Sequence, residues 1–284
     1  MTAGRIATRA AGGIVAAFAL LAVALPLLPL PDPSLTSLPD QLRGPHAGHW
    51  FGTDALGRDV FSRTMFGVRS SLWIATLAAS VSLVIGVLVG AVAGFSRPKV
   101  DALLMRFVDV LYGIPFICLV IFLLAVLRDH EPWLRTHGIT RETVLYLLVG
   151  GTSWLTMARL VRNEVARLRS LPFVEAARAL GLPERRVLLR HVLPNAFGII
   201  LVALTLTIPS IVLYEAFLSF LGLGIEPPGV SLGLLAAEGV EVLTPIHSAW
   251  WMVAFPGGAL ALLLLALSLL GDAARDRFDP RTNH

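Results

Sequence analysis

An all-α membrane protein with six transmembrane helices is what this sequence predicts, and three observations predict it. Of 284 residues, 56% are hydrophobic and only 15% charged, with a mean hydropathy of +0.76, far from the balance of a soluble domain. Several apolar runs reach the ~18–20 residues that cross a hydrocarbon core of ~30 Å at ~1.5 Å per residue. One polar stretch between two such runs is strongly arginine-rich, which sets an orientation.

The helices are read at about 11–29, 72–95, 103–127, 143–161, 195–221 and 249–270. The first follows Arg5 and Arg9 and leaves through Pro26, Pro29, Pro31 and Pro33, a helix stop. Ala22-Val23-Ala24 also fits a cleavage site, so a removed signal peptide is the alternative reading. The second ends at Gly94 and the basic pair Arg97 and Lys99. The third carries Gly113 and Pro115, which predict a kink where neighbouring helices re-satisfy the backbone. The fourth starts from Thr143 and runs into the arginine-rich stretch. There Arg159, Arg162, Arg167, Arg169, Arg178, Arg185, Arg186 and Arg190 outnumber Glu164, Glu175 and Glu184.

Excess Lys and Arg marks a cytoplasmic loop. Six crossings then put both termini in the cytoplasm, in agreement with Arg5, Arg9, Arg97 and Lys99, and leave 30–71, 128–142 and 222–248 outside. The chain divides into residues 1–71 (first helix and outer loop), a core over 72–271 that holds the cytoplasmic loop 162–194, and a cytoplasmic tail over 272–284. The net charge of +4 and pI of about 10.0 describe a face beside anionic lipid rather than a nucleic-acid binder.

Several functions are excluded or disfavoured. Lys99, the single lysine, stands between Pro98 and Val100, so no Gly-x-x-x-x-Gly-Lys-Ser/Thr loop exists to cradle ATP. Cys118 is alone, which rules out an intrachain disulfide. His46, His49, His130, His137 and His247 lack metal-ligand spacing. A membrane enzyme would need a His-Glu-x-x-His, a Gly-x-Ser-x-Gly or paired intramembrane acids, and none is present. A gradient-driven secondary transporter is disfavoured by the lack of an inverted repeat and by few intramembrane acids besides Glu215.

Three groups of residues carry chemistry. In the cytoplasmic loop, Pro172 can open a helix at its first turn, with Glu175 suited to the positive helix end. Ala176, Ala177 and Ala179 keep that helix slim. Gly181 permits a sharp break and Pro183 cannot continue the helix, so a second one begins near Glu184 and runs to Leu193-Pro194. Residues alone leave this either a docking elbow or a solvated loop whose arginines only hold topology. Glu215 lies in an apolar helix after Pro209, as a pathway or gate residue or as a helix-end acid at the outer interface. Arg58, Asp59, Arg63 and Arg69 read as an outer ion-pair cluster bracing a vestibule, with receptor docking as the alternative.

The stretch Glu175-Ala-Ala-Arg-Ala-Leu-Gly181, closed by Leu193-Pro194, resembles the EAA loop of ABC importer permeases, where the membrane subunit meets its ATPase. Phe51-Gly-Thr-Asp-Ala-Leu-Gly-Arg-Asp-Val60 and its continuation to Leu72 resemble the segment before the second helix in C-type subunits of oligopeptide and dipeptide transporters. Tyr214-Glu-Ala-Phe-Leu-Ser-Phe-Leu-Gly-Leu-Gly224, with Pro227-Pro228 and Ser231-Leu-Gly233, is similar to their fifth helix and the loop after it. Gly271-Asp-Ala-Ala-Arg-Asp-Arg-Phe-Asp-Pro-Arg281 resembles their tail. His191, with Val192 next, stands where many importers carry an Ile three places before the loop's Pro. Ser231-Leu232-Gly233 replaces the usual Ser-Trp-Gly.

The resemblance implies a non-catalytic, multi-pass subunit of the bacterial inner membrane, forming half of the pathway of an ATP-driven peptide importer. Implied partners are a second six-helix permease, two ATP-binding subunits or one fused ATPase, and an extracytoplasmic peptide-binding protein. ATP and Mg belong to the ATPase partners, and this chain carries no cofactor. Glu175, Ala176, Ala177, Gly181, Leu193 and Pro194 are implied as the coupling residues. Nickel, haem and glutathione are the alternative cargoes of the same branch.

Overall fold

The structure is a computed structural model that describes residues 2–25, 30–128, 130–138, 141–243 and 248–278. Pro26, Pro29, His247 and the last residues of the expected tail, 279–284, lie outside the described residues. Those described form helices and connecting turns, with no strand among them. The order is α1 (Thr2–Ala24), α2 (Val60–Phe95), α3 (Pro98–Tyr112), α4 (Phe116–Arg128), α5 (Glu131–Thr136), α6 (Arg141–Arg169), α7 (Pro172–Ala179), α8 (Glu184–Val187), α9 (Leu193–Phe220), α10 (Leu232–Val242) and α11 (Trp251–Phe278).

Three helical stretches are long and apolar enough to cross a membrane: Val60–Phe95, Glu184–Phe220 and Trp251–Asp276. A fourth is added if α3 and the following helix form one span, bent by 79° at the break that contains Gly113 and Pro115. The expected spans at 11–29 and 143–161 are not among them. Two helices, α5 and α10, fall in stretches that the sequence reading left as outer loops. The second expected helix, read from 72, begins twelve residues earlier at Val60. Ser62, Arg63 and Thr64 are polar, and all three are buried there with hydrogen-bond partners.

The chain forms two compact units: Met1–Thr76 with Pro209–Leu270, and Leu77–Ile208 with Gly271–His284. In the second, α2 and α6 meet along a glycine seam. A Cβ on Gly90 would stand 2.5 Å from the Ala158 carbonyl oxygen, and one on Gly94 2.5 Å from that of Arg162. Small residues let helix backbones approach this closely. The other side of α6 holds α3, where Asp101 takes the fork of Arg162 and Asp109 lies 2.7 Å from Arg159. The Arg159 guanidinium also covers the Tyr112 ring at 4.3 Å.

In the first unit, the segment 30–59 folds over the ends of α2 and α11. Phe51 stacks on Phe255 with centroids 4.0 Å apart, and the Trp251 indole N–H donates to the Thr53 carbonyl at 3.1 Å. Gly52, at φ +72, has no room for a Cβ, which would come within 2.6 Å of the Arg43 carbonyl oxygen.

Candidate functional site

The elbow over 171–194 is built by local backbone chemistry. Leu171 is extended and Pro172 occupies the first helical turn of α7, where a missing N–H costs nothing. Glu175 sits in that first turn. The C-terminus closes as a Schellman motif. Gly181, at φ +76, donates its N–H to the Arg178 carbonyl at 2.9 Å, and Leu182 donates to Ala177 at 3.3 Å. Pro183 then caps α8. Arg178 forks onto Glu184 at 2.9 and 3.1 Å across the bend. Both groups are partly exposed, so this pair contributes little stability.

One side of the elbow is cored. Val174, Ala177, Val187 and Val192 are buried in a cluster with Val161, Val165 and Leu168 of α6 and with Ala196 and Ile200 of α9. The other side is open: Glu175 and Ala176 are exposed, and Leu180 is 82% exposed at the tip. Glu175 joins no ion pair among the described residues. Two arginines tie the elbow's neighbourhood to the end of α2: Arg169 donates to the Ser96 carbonyl at 2.5 Å, and Arg178 stands 5.4 Å from the Phe95 ring centroid.

Between α8 and α9 the helix widens into a π turn over Leu188–Val192. Pro194 accounts for it, since a proline ring in an α-helix collides with the carbonyl four residues back, here Arg190. Leu193 is half-buried and Pro194 exposed. The second arm of the elbow therefore runs into α9 as one 37-residue helical stretch.

Arg58 and Arg63 form a different cluster from the one the sequence suggested. Arg63, 1% exposed, reaches Asp54 at 2.5 Å and Glu238 of α10 at 2.5 and 3.1 Å. Arg58 also reaches Asp54, at 2.6 Å, and Glu238 at 3.4 Å. Asp54 accepts the N–H groups of Leu56 and Arg58 as well. Asp59 belongs elsewhere: it pairs with His49 at 2.8 Å and accepts the Ser62 N–H at 2.7 Å. Arg69 is exposed and joins no ion pair among the described residues. Asp40, on the exposed 37–43 turn, is held below the ordinary carboxylate range, first by the Ser37 hydroxyl and then by Arg43 and nearby histidines.

Glu215 is fully buried on α9. Its carboxylate accepts from Ser71 of α2 at 2.9 Å and from Ser219 at 2.8 Å, and Ser231, the N-cap of α10, is buried as well. Sequence reasoning singled out Glu215 and Arg63 but missed their partners. Ser219, one turn on from Glu215, was within reach of a helical-spacing argument. Ser71 and Glu238 were not, because they arrive from distant segments. Among the described residues no group of acidic, His or Cys side chains could hold a metal ion.

Residues 86–284 match the family described as binding-protein-dependent transport system inner membrane component. The chain belongs to that family. Among similar proteins, this inner membrane component is 39% identical to the dipeptide transport system permease protein DppC of Bacillus subtilis, over 86% of this chain and 72% of that one. It is 37% identical to the oligopeptide transport system permease protein OppC of the same organism, over 94% and 83%. The fold is shared with solved chains of the MetNI methionine ABC transporter in inward-facing conformations. One gives a TM-score of 0.60 at 20% identity, covering 77% of this chain and 96% of that one.

Proposed function

We propose that this inner membrane component is the C-type half of the pathway of an ATP-driven peptide importer. It crosses the membrane six times with both termini in the cytoplasm, α1 and α6 completing the spans. The arginine excess around 162–194 supports a cytoplasmic loop. Separate ATPase subunits bind and hydrolyse ATP. A second six-helix permease completes the pathway, and an extracytoplasmic binding protein delivers peptide. The substrate class follows from the relatives, which are named as dipeptide and oligopeptide permeases.

The observation that carries this reading is the elbow. Its inner side is cored against α6 and α9, so a push on α7 moves two long helices together. Its outer side offers Glu175, Ala176 and the apolar tip Leu180, all exposed, and the Glu175 carboxylate joins no ion pair among the described residues. Closure of two ATPase domains on ATP draws two such elbows together and turns the bundle from inward-open to outward-open.

The test is purification of the tagged chain from its native membrane in a mild detergent, with mass spectrometry of whatever accompanies it stoichiometrically. A second permease and P-loop ATPases support the reading. A chain that purifies alone, yet takes up peptide in vesicles on a proton gradient, overturns it.

A further inference from the structure

Glu215 does not stand at a surface, and its serines do more than satisfy it. The Ser219 hydroxyl accepts the Ile225 N–H at 3.3 Å while donating to Glu215. A chain of hydrogen bonds thus runs from the backbone of the 222–231 turn, through Ser219, into one buried acid. The turn ends at the buried Ser231, whose hydroxyl caps α10 by accepting the Leu234 N–H at 3.2 Å. Ser71 adds the α2 side. Packing around the node leaves no slack. A Cβ on Gly224 would fall 2.1 Å from the Ser219 hydroxyl, and one on Gly233 2.1 Å from the Ala216 carbonyl.

The segment gathered in this way leads into α10, whose 11 residues span ~16 Å, too short to cross a membrane. Leu232, Gly233, Leu235 and Gly239 are nevertheless buried. Its N-terminus follows directly on the turn that Ser219 anchors to Glu215, and Gly233 packs on the Ala216 carbonyl. Its C-terminal half is tied to Arg63 and Arg58 through Glu238.

We propose that Glu215 is a positioning residue that holds α10 in place as a re-entrant element, by serving as the shared acceptor for Ser71 of α2 and for Ser219, which anchors the turn that leads into α10. It does not touch the transported molecule. A carboxylate suits the role because it accepts on both oxygens, from Ser71 on one and Ser219 on the other. A glutamine could keep the Ser219 side only by turning its amide toward Ser71, whose hydroxyl would then accept. An alanine leaves both serines unanswered.

The experiment reads the position of α10 directly. A Leu235→Cys reporter, at a residue 3% exposed, is made in a Cys118→Ala background, and its rate of reaction with N-ethylmaleimide is followed in membranes holding the full complex. Glu215→Ala is expected to raise that rate about tenfold, the equivalent of about 1.4 kcal/mol in the opening of α10. Glu215→Gln is expected to hold it within about threefold. A second reporter, Met157→Cys, buried in the other unit, stays unchanged. Should Glu215→Ala fail to accumulate, the Ser71→Ala, Ser219→Ala double variant serves in its place.

An unchanged Leu235→Cys rate overturns the proposal, as does a parallel rise at both reporters, which would mean general unfolding. The consequence for transport rests on the importer reading above: maximal uptake falls in Glu215→Ala while the half-saturating substrate concentration stays put. Reduced uptake with an unmoved α10 would make Glu215 a pathway residue and also overturn the proposal. The labelling result stands or falls whether or not the cargo is a peptide.

Discussion

Replacing Arg63 by methionine removes the centre of the Asp54–Arg58–Arg63–Glu238 node while keeping most of the side chain's bulk. Removing one member of a buried ion pair costs about 3–5 kcal/mol, mainly because a charge is left without its partner. Here the lower end applies. Arg58 still reaches Asp54 at 2.6 Å and Glu238 at 3.4 Å, and Glu238 keeps 21% of its side-chain exposure. About 3 kcal/mol corresponds to a roughly 150-fold smaller ratio of folded to unfolded protein. Unfolding of the purified protein in mixed micelles of increasing SDS fraction measures it. The same titration on Glu238→Met and on the double variant closes a cycle. The double variant should regain about 1–3 kcal/mol over the sum of the singles, since the stranded acid is gone. Strict additivity, or a single-variant cost below about 0.5 kcal/mol, would refute the view that this node holds α10 to the 52–63 segment.

Three further substitutions have outcomes set by the local geometry at each site. Gly90→Val should destabilise by about 1–3 kcal/mol, because its side chain meets the Ala158 carbonyl and Val161. Gly151→Ala, with nothing within 4 Å, should be neutral or mildly stabilising, and SDS titration compares the two. Glu175→Lys should leave folding unchanged, since the residue is exposed, yet lower peptide uptake per ATP hydrolysed by at least about tenfold, a loss of about 1.4 kcal/mol in coupling. Matched uptake and hydrolysis assays on vesicles report it.

The features legible in the sequence are those set by local backbone chemistry. Pro172 at a first helical turn and Gly181 in the left-handed region fix the ends of α7 whatever surrounds them. Gly113 and Pro115 announced the bend between α3 and α4 for the same reason. What distant segments decide was not legible. Arg63 reads as a polar interruption until Glu238, 175 residues away, arrives to neutralise it, and that is why α2 begins at Val60 and not at 72. The stretch 222–248, read as an outer loop, is interrupted by Pro227, Pro228, Gly229, Glu238 and Glu241 and holds no apolar run long enough for a span, so nothing in it marks α10. Its helix depends on the Ser231 cap and on burial against α9 and α11 residues such as Ala216 and Met252. The grouping of Arg58, Asp59, Arg63 and Arg69 followed nearness in sequence, whereas the helical turn of α2 sends Arg63 inward and Arg69 outward.

Central to the account is the elbow as the part through which ATP hydrolysis elsewhere drives this chain. The most direct measurement is ATP-driven peptide uptake by the reconstituted complex carrying Gly181→Val. Space around Gly181 is open, so the substitution acts only through its backbone. At φ +76 a β-branched residue is strained by about 1–2 kcal/mol and swings the second arm away from the first. The account predicts assembled complexes that still hydrolyse ATP but import little peptide. Wild-type uptake per ATP in that variant, at wild-type assembly, would contradict it.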